Sequence, residues 1–389
     1  MPTPKDAVFA LTADRVFDGY CWHDHAAVMV EHGLVRGISA AADIPDDRHR
    51  LAMPPGTLLA PGFVDLQVNG GGGVLLNDDP TPQAMRAIAR AHRRFGTTAC
   101  LPTFITDTGD KARAAIAAAR AAAGTDGILG LHLEGPFISP ARPGIHPPEF
   151  IVEASMNDLE WFSAPASSGT SLVTLAPERV PAGFVRKLTD AGVRVAAGHS
   201  EAGAAVMQQA MAEGLSGVTH LHNAMPPMTA REPGIVGTAL SDPRLVAGLI
   251  VDAIHVDPAV VRATFAAKGA DGIALVTDAM PTVGTSQGEF QLLGRTIRLS
   301  DGKLTSAEGT LAGAHLDMAT AVRTAVTRVG VTLDDALRSA SLTPARFLGL
   351  QDRLGNLKAG AHADIVALTG DLHVARTWVG GRVDAGGTP

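Results

Sequence analysis

The sequence has few cysteines and no long apolar run. Its two cysteines, Cys21 and Cys100, form no CxxC pair, so we expect no disulfide framework and a reducing, cytoplasmic environment. No stretch reaches the roughly 18 uninterrupted apolar residues that a membrane helix needs. The first residues, MPTPKDAVFALTADR, contain acidic side chains and no long apolar segment, so we expect no signal peptide there.

Positive charge is also scarce. Lys and Arg number 32 against 39 Asp and Glu, which gives a formal net charge of −7. Nucleic acids and anionic membranes are bound through basic surfaces, so we expect neither as a partner. An anionic small molecule would need cations placed locally. Hydrophobic residues make up 46% and charged residues 18%, which is the balance of a globular protein with a large core.

The middle of the chain alternates between apolar runs of strand length and Ala-rich stretches of helical length. Continuous apolar strands separated by helices are typical of a parallel sheet covered on both faces. Eight such units predict an α/β fold, a closed (β/α)8 TIM barrel. The alternative is an open doubly wound sheet, but no GxGxxG turn follows the first strand. The predicted strands are residues 63–69, 99–105, 128–134, 172–177, 193–199, 218–222, 246–251 and 273–278, and the predicted helices include 82–94, 110–123, 181–191, 202–213 and 258–267.

Both ends of the chain have strand character. Residues 6–58 contain short strands such as 10–17 and 27–38, with breaks at Gly19 and Gly33, and residues 355–368 return to this pattern. A predicted hairpin (289–300 with 303–311) and a helical pair (316–328 and 333–348) lie between the last barrel strand and the tail. We therefore predict a small β-sandwich module, residues 1–58 plus 357–389, and a barrel of residues 59–356.

Four titratable residues lie at the ends of predicted barrel strands: Glu134, His199, His220 and Asp278. Catalytic groups of TIM barrels sit at the C-terminal ends of the strands, so these four should converge. Two imidazoles and one carboxylate are the ligand set of a catalytic zinc site. A single buried histidine is more often an ordinary core residue, but the set at strand ends favours a metal site.

Asp278 is the candidate general base. A carboxylate beside a metal-activated water can accept its proton and later pass it to a leaving amine. Asp also commonly caps loops, which is the structural alternative.

A candidate phosphate-binding region follows the sixth strand. Residues 220–228 supply backbone N–H groups, and Arg231 supplies a guanidinium; both suit phosphate. His255 follows the seventh strand, and His146 lies in the long loop after the third, so both could face a substrate. Taken alone, Arg231 would more often be a solvated surface residue and His146 a loop residue.

At these residues the chain resembles the amidohydrolase superfamily, specifically its sugar-phosphate deacetylases. The matching segments are PGFVDLQVNG (61–70), GLHLEGPF (130–137), TLAPE (174–178), AGHS (197–200), THLHNAMP (219–226), REPG (231–234), LVTDA (275–279) and the return segment 355–368. They occur in order over nearly the whole chain. Together they are highly specific, although each one alone is weak.

The resemblance implies roles for individual residues. Glu134, His199 and His220 would bind the metal, and Asp278 would act as base and then acid. His146 would orient and polarise the substrate carbonyl. The remaining implied contacts are to a sugar phosphate: Ile145 beside His146, the backbone amides of Asn223 and Ala224, the positive charge of His255 and Arg231, and the pocket wall Leu311, Ala312 and Gly313. Arg231 would come from the neighbouring subunit, which implies a homodimer.

One divalent ion per subunit is expected, with Zn²⁺ first and Fe²⁺, Co²⁺ or Mn²⁺ as alternatives. Many amidohydrolases carry a His-x-His pair on the first strand for a second metal, but this chain has Gln67 and Asn69 there. Neutral amides are poor replacements for imidazoles on zinc. No lysine falls in a predicted barrel strand, so a bridging carbamylated lysine is also excluded.

The resemblance implies hydrolysis of the acetamide of N-acetyl-D-glucosamine 6-phosphate. The galacto epimer is the nearest alternative, because a few pocket contacts would distinguish one hydroxyl configuration. An N-acyl amino-acid amidohydrolase and a non-catalytic sugar-phosphate sensor are more distant alternatives.

Overall fold

A computed structural model describes residues 8–163 and 169–384. One of its two large sheets has eight parallel strands arranged in chain order. A parallel bridge from Val68 to Ala279, just beyond the last strand, brings the two edges together. The predicted (β/α)8 barrel is therefore confirmed. Its strands are Phe63–Val68, Thr97–Ile105, Gly130–Glu134, Thr170–Leu175, Arg194–Ala197, Gly217–Val218, Val246–Leu249 and Ile273–Leu275.

Helices pack their apolar faces on the outside of the barrel. Pro82–Arg93 is an example: Thr81 Oγ1 accepts the N–H of Ala84 at its start, and Met85 and Ile88 are buried. None of the described helices is long and apolar enough to cross a membrane. The others are Gly109–Ala122, Leu159–Phe162, Phe184–Asp190, Ala204–Ala212, Gly234–Ser241, Pro258–Lys268, Met318–Thr324, Leu333–Ala340 and Leu342–Phe347, with a π-helical Ala325–Val329.

A second eight-stranded sheet is made from both ends of the chain. Leu58–Pro61 pairs antiparallel with Ile365–Leu368, which joins the two ends, and the sheet has its own core around Phe9 and Trp378. The predicted boundary at residue 58 falls at the first residue of the joining strand, and the two-domain division stays a prediction. The other strands are Val8–Phe17, Trp22–Glu31, Leu34–Ala40, His49–Ala52, Val374–Val379 and Arg382–Val383.

Several local predictions differ from the structure. The predicted arm 289–300 is itself a hairpin, because Leu293 and Gly294 both have positive φ and reverse the chain. Together with Lys303–Thr305 it forms a three-stranded sheet of Glu289–Leu292, Arg295–Ser300 and Lys303–Thr305. The predicted helix 333–348 breaks at Ser341, whose φ of −133° and ψ of −72° are not helical. A two-residue pair, Gly70–Gly71 and Val74–Leu75, completes the strands.

Gly62 lies between the two sheets and gives a test of their junction. Its N–H donates to Asp364 O at 2.8 Å, and a Cβ added to it would lie 2.8 Å from Thr98 Cβ. Thr98 is buried in a barrel strand and cannot move away easily. We expect Gly62→Ala to lower the free energy of unfolding by about 1–3 kcal/mol, because overpacking forces the backbone to shift.

Gly288→Ala is the matched control. Gly288 is exposed, and a Cβ there would meet no atom within 4 Å. Its urea midpoint should change little, by the equivalent of about 0.5 kcal/mol or less. Equal midpoints for the two variants would contradict the tight junction at Gly62.

Candidate active site

The four residues predicted from the strand ends meet at one mouth of the barrel. Glu134 is the last residue of its strand, and His199, His220 and Asp278 follow theirs by two or three residues. All four are buried, with at most 9% of their surface exposed. They line one cavity of about 520 Å³. The strands therefore gather them as the barrel rule predicts.

Glu134, His199 and His220 form a tight trio of ligand atoms. Glu134 Oε1 lies 3.0 Å from His220 Nε2 and 3.3 Å from His199 Nε2, and the two nitrogens are 3.0 Å apart. Ligands at about 2.0–2.1 Å from a tetrahedral zinc would be separated by about 3.3 Å. The trio therefore has nearly the spacing of three corners of such a site.

The orientation of His199 also suits a cation. Its Nδ1 lies 2.9 Å from the Arg142 carbonyl oxygen, which can only accept, so Nδ1 carries a proton and Nε2 faces the trio, where it would present its lone pair to a bound cation. Two imidazole nitrogens 3.0 Å apart are best explained by a shared cation or proton. His146 also lies close: its ligand atom and those of Glu134 and His199 are all within 4.8 Å of one another. The His220 Nε2 distances to Glu134 and His199 are shorter, at 3.0 Å each, so His220 stays the predicted third ligand.

Two amides connect the trio to Asp278. Gln67 Nε2 lies 3.1 Å from both carboxylate oxygens of Glu134 and 3.1 Å from Asp278 Oδ1. Asn69 Nδ2 donates to the same Asp278 oxygen at 2.6 Å. An imidazole could bind a second metal here, whereas these amides donate hydrogen bonds that hold two carboxylates in place. They fix the aspartate beside the trio.

Burial and charge shift the protonation of the site in opposite directions. Burial raises the pKa of Glu134, but hydrogen bonds from His199 and His220 outweigh it and hold that pKa well below its usual range. Burial, with the Glu134 charge, raises the pKa of Asp278 to about 6. Burial beside His199 lowers the pKa of His146 to about 3, so His146 is neutral. The site thus contains one firmly ionised carboxylate and one that can exchange a proton near neutrality.

The site residues carry strained backbone. His199, His220 and Asp278 have φ values of 49°, 30° and 50°, in a region that non-glycine residues rarely occupy. Such conformations cost about 1–3 kcal/mol each and persist where the surrounding fold dictates them. The strand-end turns therefore aim these side chains inward at an energetic cost that the rigid barrel offsets.

Most of the predicted substrate-binding residues line the cavity: Ile145, His146, Asn223, Ala224, His255, Leu311 and Gly313. His255 is oriented by Asp252, whose Oδ2 lies 2.7 Å from its Nδ1. Ala312 is fully buried in an apolar cluster behind the wall. Arg231 is exposed and, among the described residues, is not part of the cavity lining.

Other residues at the site were not predicted. Thr106 directly follows the second barrel strand, and its Oγ1 lies 2.8 Å from His146 Nδ1. The strand-end rule applied to every polar residue would have found it. His132, two residues before Glu134 in the same strand, is buried with Nε2 2.7 Å from Thr174 Oγ1. The loop residues Ala141, Arg142, Pro143 and Gly144 also line the cavity, and no sequence signal marks them apart from their position before Ile145.

Comparison with known proteins identifies the family. A sequence model of the amidohydrolase family matches residues 58–383. The chain belongs to the amidohydrolase family. A protein of Shewanella sp. (strain ANA-3) named N-acetylgalactosamine-6-phosphate deacetylase is 39% identical to this amidohydrolase, over 92% of each chain.

Relatives named for the gluco epimer are similar to this amidohydrolase as well. N-acetylglucosamine-6-phosphate deacetylase of Vibrio furnissii is 33% identical, over 99% of this chain and 98% of its own. The crystal structure of the enzyme of that name from Pasteurella multocida is 34% identical and superposes with a TM-score of 0.92, over 96% of this chain and 99% of that one. The likeness covers both the barrel and the sheet made from the chain ends.

The trio geometry predicts which histidine controls metal content. His199→Ala removes one corner of the trio, so the purified protein should contain one equivalent less divalent metal by mass spectrometry. His255→Ala is the matched control: it removes an imidazole from the same cavity, but one whose Nδ1 is paired with Asp252. If both variants kept the same metal content as the parent, the metal assignment would be wrong.

Proposed function

We propose that the protein hydrolyses the acetamide of N-acetyl-D-glucosamine 6-phosphate, giving D-glucosamine 6-phosphate and acetate. The observation that carries this proposal is the trio of Glu134, His199 and His220, with Asp278 held beside it, in a cavity of about 520 Å³. The full-length similarity to deacetylases of 6-phosphorylated amino sugars supports the substrate class. A phosphorylated substrate and two free cysteines favour a cytoplasmic location.

We assign one divalent cation, Zn²⁺ first among Fe²⁺, Co²⁺ and Mn²⁺, to Glu134, His199 and His220. Two imidazole nitrogens and a carboxylate oxygen are the donor set that catalytic zinc prefers. Such an ion supplies Lewis acidity, which polarises a carbonyl and makes water a stronger acid. The chain's own contribution is to hold the three donors rigidly, with Arg142 O orienting His199 and Gln67 orienting Glu134.

Asp278 would move the proton. Its raised pKa, about 6, places it where a carboxylate can take a proton from the attacking water and return it near neutral pH. A cation held by the trio would lower that pKa by its charge and keep the carboxylate ready as a base. The water oxygen forms the new bond to the acetamide carbon, and the proton passes through Asp278 to the amine nitrogen as the C–N bond breaks.

His146 would polarise the acetamide carbonyl. It is neutral, so it carries one ring N–H, and a hydrogen bond from Thr106 to Nδ1 would leave that N–H on Nε2. A neutral donor of this kind stabilises the oxyanion that develops on the carbonyl oxygen. Thr106 would therefore set the tautomer that the reaction needs.

The phosphate would bind at the far end of the cavity, at the backbone amides of Asn223 and Ala224 and at His255. Arg231 is exposed and outside the cavity of its own chain, which is compatible with reaching the site of a neighbouring subunit. We propose a homodimer in which each Arg231 completes the partner's phosphate site. A planar guanidinium binds phosphate in a bidentate manner and orients the acetamide from a distance.

The galacto epimer is the second candidate substrate, because a relative with that name is 39% identical. The test is acetate release from both 6-phosphorylated N-acetyl sugars, with metal content measured on the same preparation. The proposal predicts a higher kcat/KM for the gluco substrate. A higher kcat/KM for the galacto substrate would replace the gluco assignment with the galacto one. Ligand binding without acetate release would indicate that the protein is a non-catalytic sensor.

Asp278→Asn should abolish proton transfer while preserving the trio. We expect kcat to fall by about 10²–10⁴-fold, the usual contribution of general acid–base catalysis, with metal content unchanged. The amide keeps the size of the side chain and one acceptor oxygen. Initial rates of acetate release measure the effect, and a kcat near that of the parent would reject the base assignment.

Arg231→Ala should lower kcat/KM for the phosphorylated substrate by about 10–100-fold, the value of one charge-assisted hydrogen bond of about 1.5–3 kcal/mol. Unphosphorylated N-acetylglucosamine should be affected little. Arg244→Ala is the matched control, since Arg244 is an exposed arginine paired with Asp242. An equal loss on both substrates would contradict a phosphate contact.

Mixed dimers test whether Arg231 acts in the partner's site. In a heterodimer of Arg231→Ala and Asp278→Asn subunits, one site would combine an intact Asp278 with an intact Arg231 from the other chain. Mixing the two weak variants under conditions of subunit exchange should therefore restore activity, up to half of the parent value per dimer. No restoration, with exchange verified, would place Arg231 in its own subunit's site or outside any site.

A further inference from the structure

A second group of metal-binding side chains lies on the first hairpin of the terminal sheet. Strands Val8–Phe17 and Trp22–Glu31 are joined by a tight turn, in which Asp18 N donates to Cys21 O at 3.0 Å. Gly19 allows this turn with a φ of 104°. Cys21 immediately precedes the second strand, and His23 is the second residue of that strand.

Three atoms converge at this turn. Asp18 Oδ2 lies 2.9 Å from His23 Nε2 and 3.3 Å from Cys21 Sγ, and Cys21 Sγ lies 3.6 Å from His23 Nε2. Each residue uses one atom for its contacts with the other two residues: Asp18 uses Oδ2, Cys21 uses Sγ and His23 uses Nε2. The three atoms therefore form one triangle rather than a chain of separate contacts.

The triangle has the dimensions of a tetrahedral zinc site. Bond lengths of about 2.3 Å to sulfur and about 2.0–2.1 Å to nitrogen and oxygen give edges of about 3.5 Å to the sulfur and about 3.3 Å between nitrogen and oxygen. The observed edges differ from these by at most a few tenths of an ångström, so small side-chain rotations would suffice. Aspartate, thiolate and imidazole together are a donor set for a borderline-soft cation.

The carboxylate is already oriented for this role. Asp18 Oδ1 accepts the backbone N–H groups of Tyr20 and Cys21 at 2.7 and 2.8 Å, which leaves Oδ2 facing the other two donors. The side chains of His23 and Asp18 remain 36% and 19% exposed, and Cys21 is exposed. Solvent can therefore reach a fourth coordination position.

We propose that Asp18, Cys21 and His23 bind a second divalent cation of the zinc class, with water as the fourth ligand. This site is separate from the barrel mouth, since it lies on the other large sheet and includes a thiol. The cation would cross-link the turn and stabilise the hairpin by binding the folded state only. The proposal does not depend on the catalytic function.

Cobalt tests the proposal because a thiolate bound to Co²⁺ gives a charge-transfer absorption that oxygen and nitrogen ligands do not give. The catalytic trio has no sulfur, and the other cysteine, Cys100, is fully buried with a pKa raised by burial to about 12. Reduced, metal-free full-length protein is titrated with Co²⁺. We expect the thiolate band in the parent and in His199→Ala. Cys21→Ser should lose the band and should bind one equivalent of cobalt less than the parent.

A second measurement uses the parent protein alone. Zn²⁺ should protect Cys21 from alkylation by iodoacetamide, detected by mass spectrometry of the peptide that contains it. The proposal is overturned if the parent shows no thiolate band, if the band survives in Cys21→Ser, or if it disappears in His199→Ala. Equal alkylation rates with and without Zn²⁺ would also overturn it.

Discussion

The structure depends on how one buried carboxylate is neutralised. Glu134 is 2% exposed at the centre of the barrel mouth, and an unpaired charge there would be very costly. His199, His220 and Gln67 all direct polar atoms at it, within 3.3 Å. Gln67 lies on the first barrel strand, and His199 and His220 follow the fifth and sixth, so neutralising this charge requires the sheet to curve around Glu134. The buried charge of Glu134 is therefore neutralised only when the barrel strands are folded around it.

A shared hydrogen-bond network extends this constraint to the proposed chemistry. Gln67 contacts both Glu134 and Asp278, so the two carboxylates are held at a fixed separation by a neutral donor. Their repulsion helps to raise the pKa of Asp278, whereas the histidines depress that of Glu134. Neighbouring carboxylates with pKa values pushed apart are a recurrent basis for dividing binding and proton transfer between two similar groups.

Much of this could be predicted from the sequence. Apolar runs located all eight barrel strands, and polar residues at their ends located the trio and Asp278. The bridging role of Gln67 could not be predicted, because its partners lie 67 and 211 residues away and only the closed barrel brings them together. The carbonyl of Arg142 carries no side-chain signal, and the break at Ser341 interrupts an otherwise helical pattern. Local periodicity predicts elements well, but it does not determine contacts made by loops.

The central claim is that Glu134, His199 and His220 hold one cation, and crystallography tests it most directly. Diffraction data from the purified protein, collected on both sides of the X-ray absorption edge of its metal, would locate the ion by anomalous scattering. The account predicts a single peak in the barrel mouth, about 2.0–2.2 Å from the Glu134 oxygen and from both Nε2 atoms. An active protein whose barrel mouth contains no peak within bonding distance of these three atoms would contradict it.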